Sequence, residues 1–168
     1  MRTILKVTAW LLLGAGLAFG QQPAVHDQFL DRMTGNWLLQ GIIEGKETAQ
    51  DITAEWVLGH QYVRIHEVAR EKNAQGMPVY EAMVFVGWDQ PAGEYVCAWL
   101  DTYGGIAPED IGRTKRTGDE IHFLFKGKDG VFHTRFIYHP ETSNWEWRMD
   151  SEEKGTTKPF ARVKLTRK

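Results

Sequence analysis

From Val25 onward the order of apolar and polar positions changes period once. In "VHDQFLDRM", Val25, Phe29, Leu30 and Met33 recur at helical spacing, with His26, Asp27, Gln28, Asp31 and Arg32 on the other side. This predicts one short helix, ended by Thr34-Gly35. Beyond Gly35 the period drops to two. The segments "NWLLQGIIE", "DITAEWVL", "QYVRIHEVAR", "VYEAMVFVGW" and "EYVCAWLD" are each of strand length, and "IGRTKRT", "EIHFLFKG", "VFHTRFIYH", "NWEWRMDS" and "KPFARVKLT" follow them.

Between these runs lie "DQPAG", "TGD", "KDG", "HPETSN" and "EEKGTT", which supply the Gly, Pro, Asn and Asp that tight turns need. Ten short strands joined by short turns, with no crossover helix between them, predict an all-β, antiparallel up-and-down meander. A single open sheet of that size would expose two long edges, so closure into a ten-stranded β-barrel is the better solution. A two-sheet sandwich is the alternative, and the short consecutive connections favour the barrel.

Residues 1–20 differ in kind. "MRTILK" carries two cations, "VTAWLLLGAGLAFG" is uncharged and apolar, and Ala18-Phe19-Gly20 puts small residues three and one before "QQPA". The expectation is a signal peptide over 1–20 and a barrel domain over 24–168, secreted or periplasmic and free of the membrane after cleavage. A retained anchor is the competing reading, but spanning requires about 20 apolar residues and this run is shorter.

Composition narrows the partners. Lys plus Arg total 20 against 22 Asp plus Glu, so no long-range field favours nucleic acid or anionic lipid. Seven Trp point to aromatic-rich packing or a ligand cavity. Cys97 is the single cysteine, which excludes an intrachain disulfide, and its apolar strand setting predicts an inert buried thiol.

Gly35-Asn36-Trp37 after a short helix resembles the Gly-x-Trp opening of the lipocalin-like (calycin) barrels. "FARVKLTRK" is similar to their last strand, whose Arg packs across that Trp, and Arg162 is the matching candidate. "VGWDQPAGEYVCAWLDTYGG" further resembles the signature of an uncharacterised bacterial lipocalin-like family, a domain of unknown function. The resemblance covers Phe29 to Lys168. It implies a lipocalin-like fold with a pocket, a structural Trp37–Arg162 stack, and no particular activity.

Motifs for chemistry are sparse. His60 and His66, like His133 and His139, lie six residues apart, which is roughly 20 Å along a strand at about 3.3 Å per residue. Neither pair can share an ion, and no short metal-ligand motif exists, so no metal site and no cofactor are expected. Haem through His66 or His133 is a runner-up, because some lipocalin-like barrels bind it through a His. The haem-binding relatives extend their opening with a second spaced Gly pattern, which "GNWLLQGII" does not follow closely. Serine chemistry, phosphate loops and dinucleotide fingerprints find no motif.

Strand faces carry the remaining signal. Tyr62, Arg64 and His66 share one face under strict alternation, as do Tyr95, Trp99 and Asp101, and Trp145, Trp147 and Met149. Large aromatics with a few polar groups suit a small-ligand pocket. The purely structural alternative packs the Trp at a barrel end and pairs Arg with Asp or Glu. Periodicity alone does not decide which face points inward, because both faces carry apolar residues.

The expected function is binding of a small, mostly apolar molecule by Tyr62, Arg64, His66, Trp99, Asp101 and Trp147, with "DTYGGIAPED" near the mouth. Arg64 or His66 would orient a polar end, and an Arg suits a carboxylate, so an organic acid is the leading guess. An enzyme using Asp101, His66 or His133 as acid–base groups is a second class, and a protein-interaction module a third.

Overall fold

The computed structural model describes residues 23–104 and 111–168. A short helix, α1 (Gln28–Met33), precedes ten strands: β1 (Gly35–Ile43), β2 (Lys46–Val57), β3 (Tyr62–Ala69), β4 (Glu81–Asp89), β5 (Glu94–Asp101), β6 (Ile111–Thr114), β7 (Glu120–Lys126), β8 (Val131–His139), β9 (Asn144–Glu153) and β10 (Thr156–Arg167). All are antiparallel in one sheet, in the order β6-β5-β4-β3-β2-β1-β10-β9-β8-β7. Within that order each strand pairs with its neighbour, and β1 joins β10, with Trp37 opposite Arg167 and Ile43 opposite Ala161.

The sheet therefore curls until β6 meets β7. Among the described residues no ladder joins those two strands; they close by packing. A side chain at Gly112 of β6 would put its Cβ 2.9 Å from the Cβ of Phe123 on β7, so glycine permits the approach. The barrel is nearly closed rather than fully hydrogen-bonded.

β2 is longer than its alternation predicts, beginning at Lys46 rather than near Asp51. The polar run "KETAQ" is drawn into the sheet by the two-residue turn Glu44-Gly45, whose residues both have positive φ (48° and 76°). Lys154-Gly155 repeats that geometry between β9 and β10 (φ 49° and 76°). Such turns match the twist of the flanking strands and fix their register.

Helix α1 plugs one end. Asp27 caps it, its carboxylate accepting from Phe29 N at 2.8 Å and Leu30 N at 3.1 Å, and also from the Tyr95 hydroxyl. Phe29, Leu30 and Met33 are buried against the barrel interior. The indoles fasten the plug. Trp37 Nε1 donates to Met33 O at 2.9 Å, Trp145 Nε1 to Arg32 O at 3.2 Å, and Trp56 Nε1 to Asp31 Oδ1 at 2.8 Å.

The cation over Trp37 is Arg167, its guanidinium carbon 4.2 Å from the ring centroid, and not Arg162. Parity explains the correction. Ala161, Val163 and Leu165 are the buried positions of β10, so Arg162 points outward and pairs with Asp150 of β9. Arg167 continues the inward parity, and at the barrel end it reaches both the Trp37 ring and Thr34 O, at 3.2 Å. Gly35 makes room for it: its φ is +122°, and a Cβ there would strike the Arg167 guanidinium.

The expected signal peptide, and residues 105–110 of the loop after β5, lie outside the described residues. Among the described residues no helix is long and apolar enough to cross a membrane.

Candidate ligand-binding site

Alternation sets what the lumen contains. Val63, Ile65, Glu67 and Ala69 are the buried positions of β3, so Tyr62, Arg64 and His66 face out of the barrel. Tyr62 is exposed, Arg64 pairs with Glu55 of β2, and His66 Nε2 lies 2.6 Å from Glu81 Oε1 of β4. These three residues do not join a lumen pocket, and a carboxylate head group loses the two cations expected to hold it. The shift is a single residue of phase, which moves every side chain of a strand to the other face.

Trp99 and Asp101 do face inward. They line a cavity of about 1070 Å³ at the barrel end opposite α1, beside Tyr80, Phe132, Phe160 and Met149. Trp99 Nε1 donates to the Tyr80 hydroxyl at 3.1 Å. From the loop "DTYGGIAPED", Tyr103 and Gly104 line the same cavity. Trp147 also faces inward but sits in the packed half, with Trp37, Trp145, Ile52, Ile65 and Leu165 around a residual void of only about 10 Å³. The six expected residues thus divide into two at the cavity, one in the packed core and three outside.

Three lumen residues escaped the sequence reading: Gln50 of β2, Glu67 of β3 and Thr134 of β8. All three line the cavity, at exposures of 3%, 3% and 1%. Gln50 Oε1, Glu67 Oε1 and Thr134 Oγ1 are buried without a hydrogen-bond partner among the described residues. Each such group costs about 1–3 kcal/mol, and a domain rarely retains several without a use for them. Two of them had a signal in the sequence: Glu67 between Ile65 and Ala69, and Thr134 between Phe132 and Phe136, are lone polar residues in apolar parity series, whereas Gln50 follows the polar Lys46 and Thr48 on its own face.

Register sets Glu67 among its neighbours on the inner face. Ile52, Glu67, Ala82 and Asp101 are paired in turn across β2, β3, β4 and β5, so their side chains share the inner face. Burial, and secondarily the Asp101 carboxylate, push the Glu67 carboxyl up from the ordinary 4.5 to about 8. Burial, with Glu67 nearby, also raises the Tyr80 hydroxyl and the Cys97 thiol. Cys97 is fully buried and its thiol stays protonated, so it is no nucleophile.

Outside the barrel, His122 Nε2 and His133 Nδ1 lie 3.0 Å apart, and His133 Nε2 is 2.9 Å from Glu152 Oε2. With His66 also on the outer wall, neither candidate histidine faces the lumen as a haem ligand or a pocket acid–base group. Of the three expected acid–base residues, Asp101 alone lies at the cavity. No group of three or more His, Cys, Asp or Glu among the described residues is placed to hold a metal ion. Comparison of the chain with protein-family models and with curated proteins finds no match to either.

Proposed function

We propose that this is an exported, lipocalin-like binding protein that takes one small, mostly apolar molecule into the open half of its barrel, polar end inward. The observation that carries the reading is a cavity of about 1070 Å³ lined by three polar side chains, each with a buried oxygen that has no hydrogen-bond partner among the described residues. Small-molecule sites combine an apolar body of roughly this size, 300–1,000 Å³, with a few placed polar groups. A cavity kept only by imperfect packing would be lined with apolar atoms alone. Gly35-Asn36-Trp37, the plugging helix and the terminal Arg over Trp37 support placing the barrel with the calycins.

The test uses N-phenyl-1-naphthylamine, an uncharged dye at neutral pH whose emission rises on leaving water. The expected result is saturable binding of one equivalent, abolished by Ala69→Trp, which fills the lumen. Absence of saturable binding, or binding indifferent to Ala69→Trp in a folded variant, overturns the reading. Export is tested separately by N-terminal sequencing of the mature protein, expected to begin at Gln21; an intact Met1 on exported, membrane-held protein would refute it.

A further inference from the structure

We infer that the polar end of the ligand is a cation of the alkyl- or arylammonium class, received by Glu67 with Gln50 and Asp101 around it. This rests on the lumen-binding reading above and adds the charge of the head group.

The first support is the sign of the lining. Its carboxylates are Glu44, Glu47, Glu67, Glu71 and Asp101, and its cations are Lys46 and Arg70. Both cations are exposed at the rim, and Arg70 is held by Asp51, with Nη2 to Oδ1 at 2.7 Å. No cation among the described residues lies deep in the lumen, so an entering positive head group is drawn in and a carboxylate is repelled.

The second support is hydrogen-bond type. Gln50 Oε1 and Glu67 Oε1 have no hydrogen-bond donor among the described residues. An ammonium presents donors and no acceptor. A carboxylate would set its oxygens against Gln50 Oε1 and the Asp101 carboxylate, and against Glu67 once that group is ionised. Glu67 and Asp101 sit two strands apart on one rung, about 10 Å across the sheet, on the same inner face with only Ala82 between them, and Asp101 Oδ1 also accepts from Tyr103 N at 2.9 Å. The Trp99 and Tyr80 rings beside them supply faces for a cation.

Proton balance follows from the neighbours of Glu67. The groups facing it are Gln50 and the neutral Ile52 from β2, Ala82 from β4, Cys97 and Asp101 from β5, the Tyr80 hydroxyl, and Thr134 from across the lumen. None is a cation, so near pH 7 Glu67 holds its proton, its carboxyl being pushed up to about 8. When an ammonium binds, the neutral carboxyl of Glu67 releases that proton to water, and the carboxylate left behind accepts an N–H from the head group. The ammonium keeps all its protons, so one proton is released for each cation bound. Affinity for the cation must climb as pH rises toward 8.

The experiment displaces bound N-phenyl-1-naphthylamine with dodecylammonium, dodecanol or dodecanoate, each below its aggregation concentration, and reads affinity ratios within each variant. At pH 8 the ammonium should outcompete the alcohol by about tenfold or more, with the carboxylate weakest. Lowering the pH to 6.5 should cut that ratio by about tenfold. Glu67→Gln should bring it within about twofold and flatten its pH dependence. A carboxylate that binds as well as the ammonium, or a ratio untouched by Glu67→Gln, overturns the inference and leaves lumen binding standing. If the dye fails to bind the wild-type protein, the underlying reading falls, and this one with it.

Discussion

The closed and open halves belong to one ten-stranded barrel and are filled in opposite ways. Around α1 the lumen is packed with Phe29, Trp37, Trp145 and Trp147, leaving a void of about 10 Å³, and the Trp37 and Trp145 indoles donate to the helix backbone. Toward the other end the walls stand apart around about 1070 Å³, and three buried polar atoms have no partner among the described residues. The first half follows the rules of a stable core. The second breaks them where a ligand would repair the breach. Stability is thus concentrated at one end, which frees the other to remain open.

The sharpest way to break this comparison is to remove one indole from each half. Trp37→Ala deletes a fully buried ring, its hydrogen bond to Met33 O and the platform for Arg167, and should cost about 3–5 kcal/mol. Trp99 is only half-buried beside open space, so Trp99→Ala should cost less than about 2 kcal/mol while weakening dye binding in the lumen. Urea unfolding of both variants checks it. Equal losses would mean that the open half is as much a core as the closed one.

Next in size is the pH dependence built in by Glu67. Its folded-state carboxyl is raised from the ordinary 4.5 to about 8, so folding retains a proton that the unfolded chain has already lost. The stabilisation is complete below the unfolded value and is lost as pH rises through the window up to the folded value. Between pH 5 and 8 the wild type should therefore lose about 3 kcal/mol relative to Glu67→Gln. Parallel stability curves for the two proteins would show that Glu67 is not held protonated in the lumen.

The two arginines of β10 give a smaller contrast. Arg167 covers Trp37 and donates to Thr34 O, tying the last strand to the plug. Arg162 sits on the outer wall, bonded to Asp150, Met149 O and Ala161 O. Arg167→Ala should cost about 0.5–2 kcal/mol, and most of that should vanish in a Trp37→Phe background. Arg162→Ala should cost about 1 kcal/mol or less, unchanged in that background. A coupling of Trp37 to Arg162 instead would contradict the observed parity of the strand.

How much of this was legible follows from one physical distinction. Strand number, turn positions and closure depend on period and on turn chemistry, both written locally, and "NWEWRMDS" and "EYVCAWLD" became strands where expected. The absolute phase of a strand is not local when both its faces carry apolar groups. In β3 the aromatic and basic face of Tyr62, Arg64 and His66 looked functional, while the plainer series Val63, Ile65, Glu67, Ala69 was the one turned inward. The better criterion was the lone polar residue on an otherwise apolar face, which finds Glu67 and Thr134; Gln50 escapes it, because Lys46 and Thr48 precede it on the same face of β2. Tyr80 carried no such signal, since it lies before β4 and is brought to Trp99 only by the fold.

The least disturbance is expected on the outer wall of β3, and that small effect is itself informative. His66 and Arg64 face out of the barrel and pair with Glu81 and Glu55, one strand away on either side. Exposed pairs of this kind contribute about 0–1 kcal/mol, because water and side-chain entropy offset most of the attraction. His66→Ala and Arg64→Ala should thus each cost about 1 kcal/mol or less in urea unfolding. Their dye affinities should stay within about twofold of wild type, since neither side chain enters the lumen. Glu67 is the next inward-facing residue of the same strand. If substitution at 64 or 66 altered head-group preference as strongly as Glu67→Gln, the inner and outer faces of β3 would have to be exchanged, and the open half would lose its acidic floor.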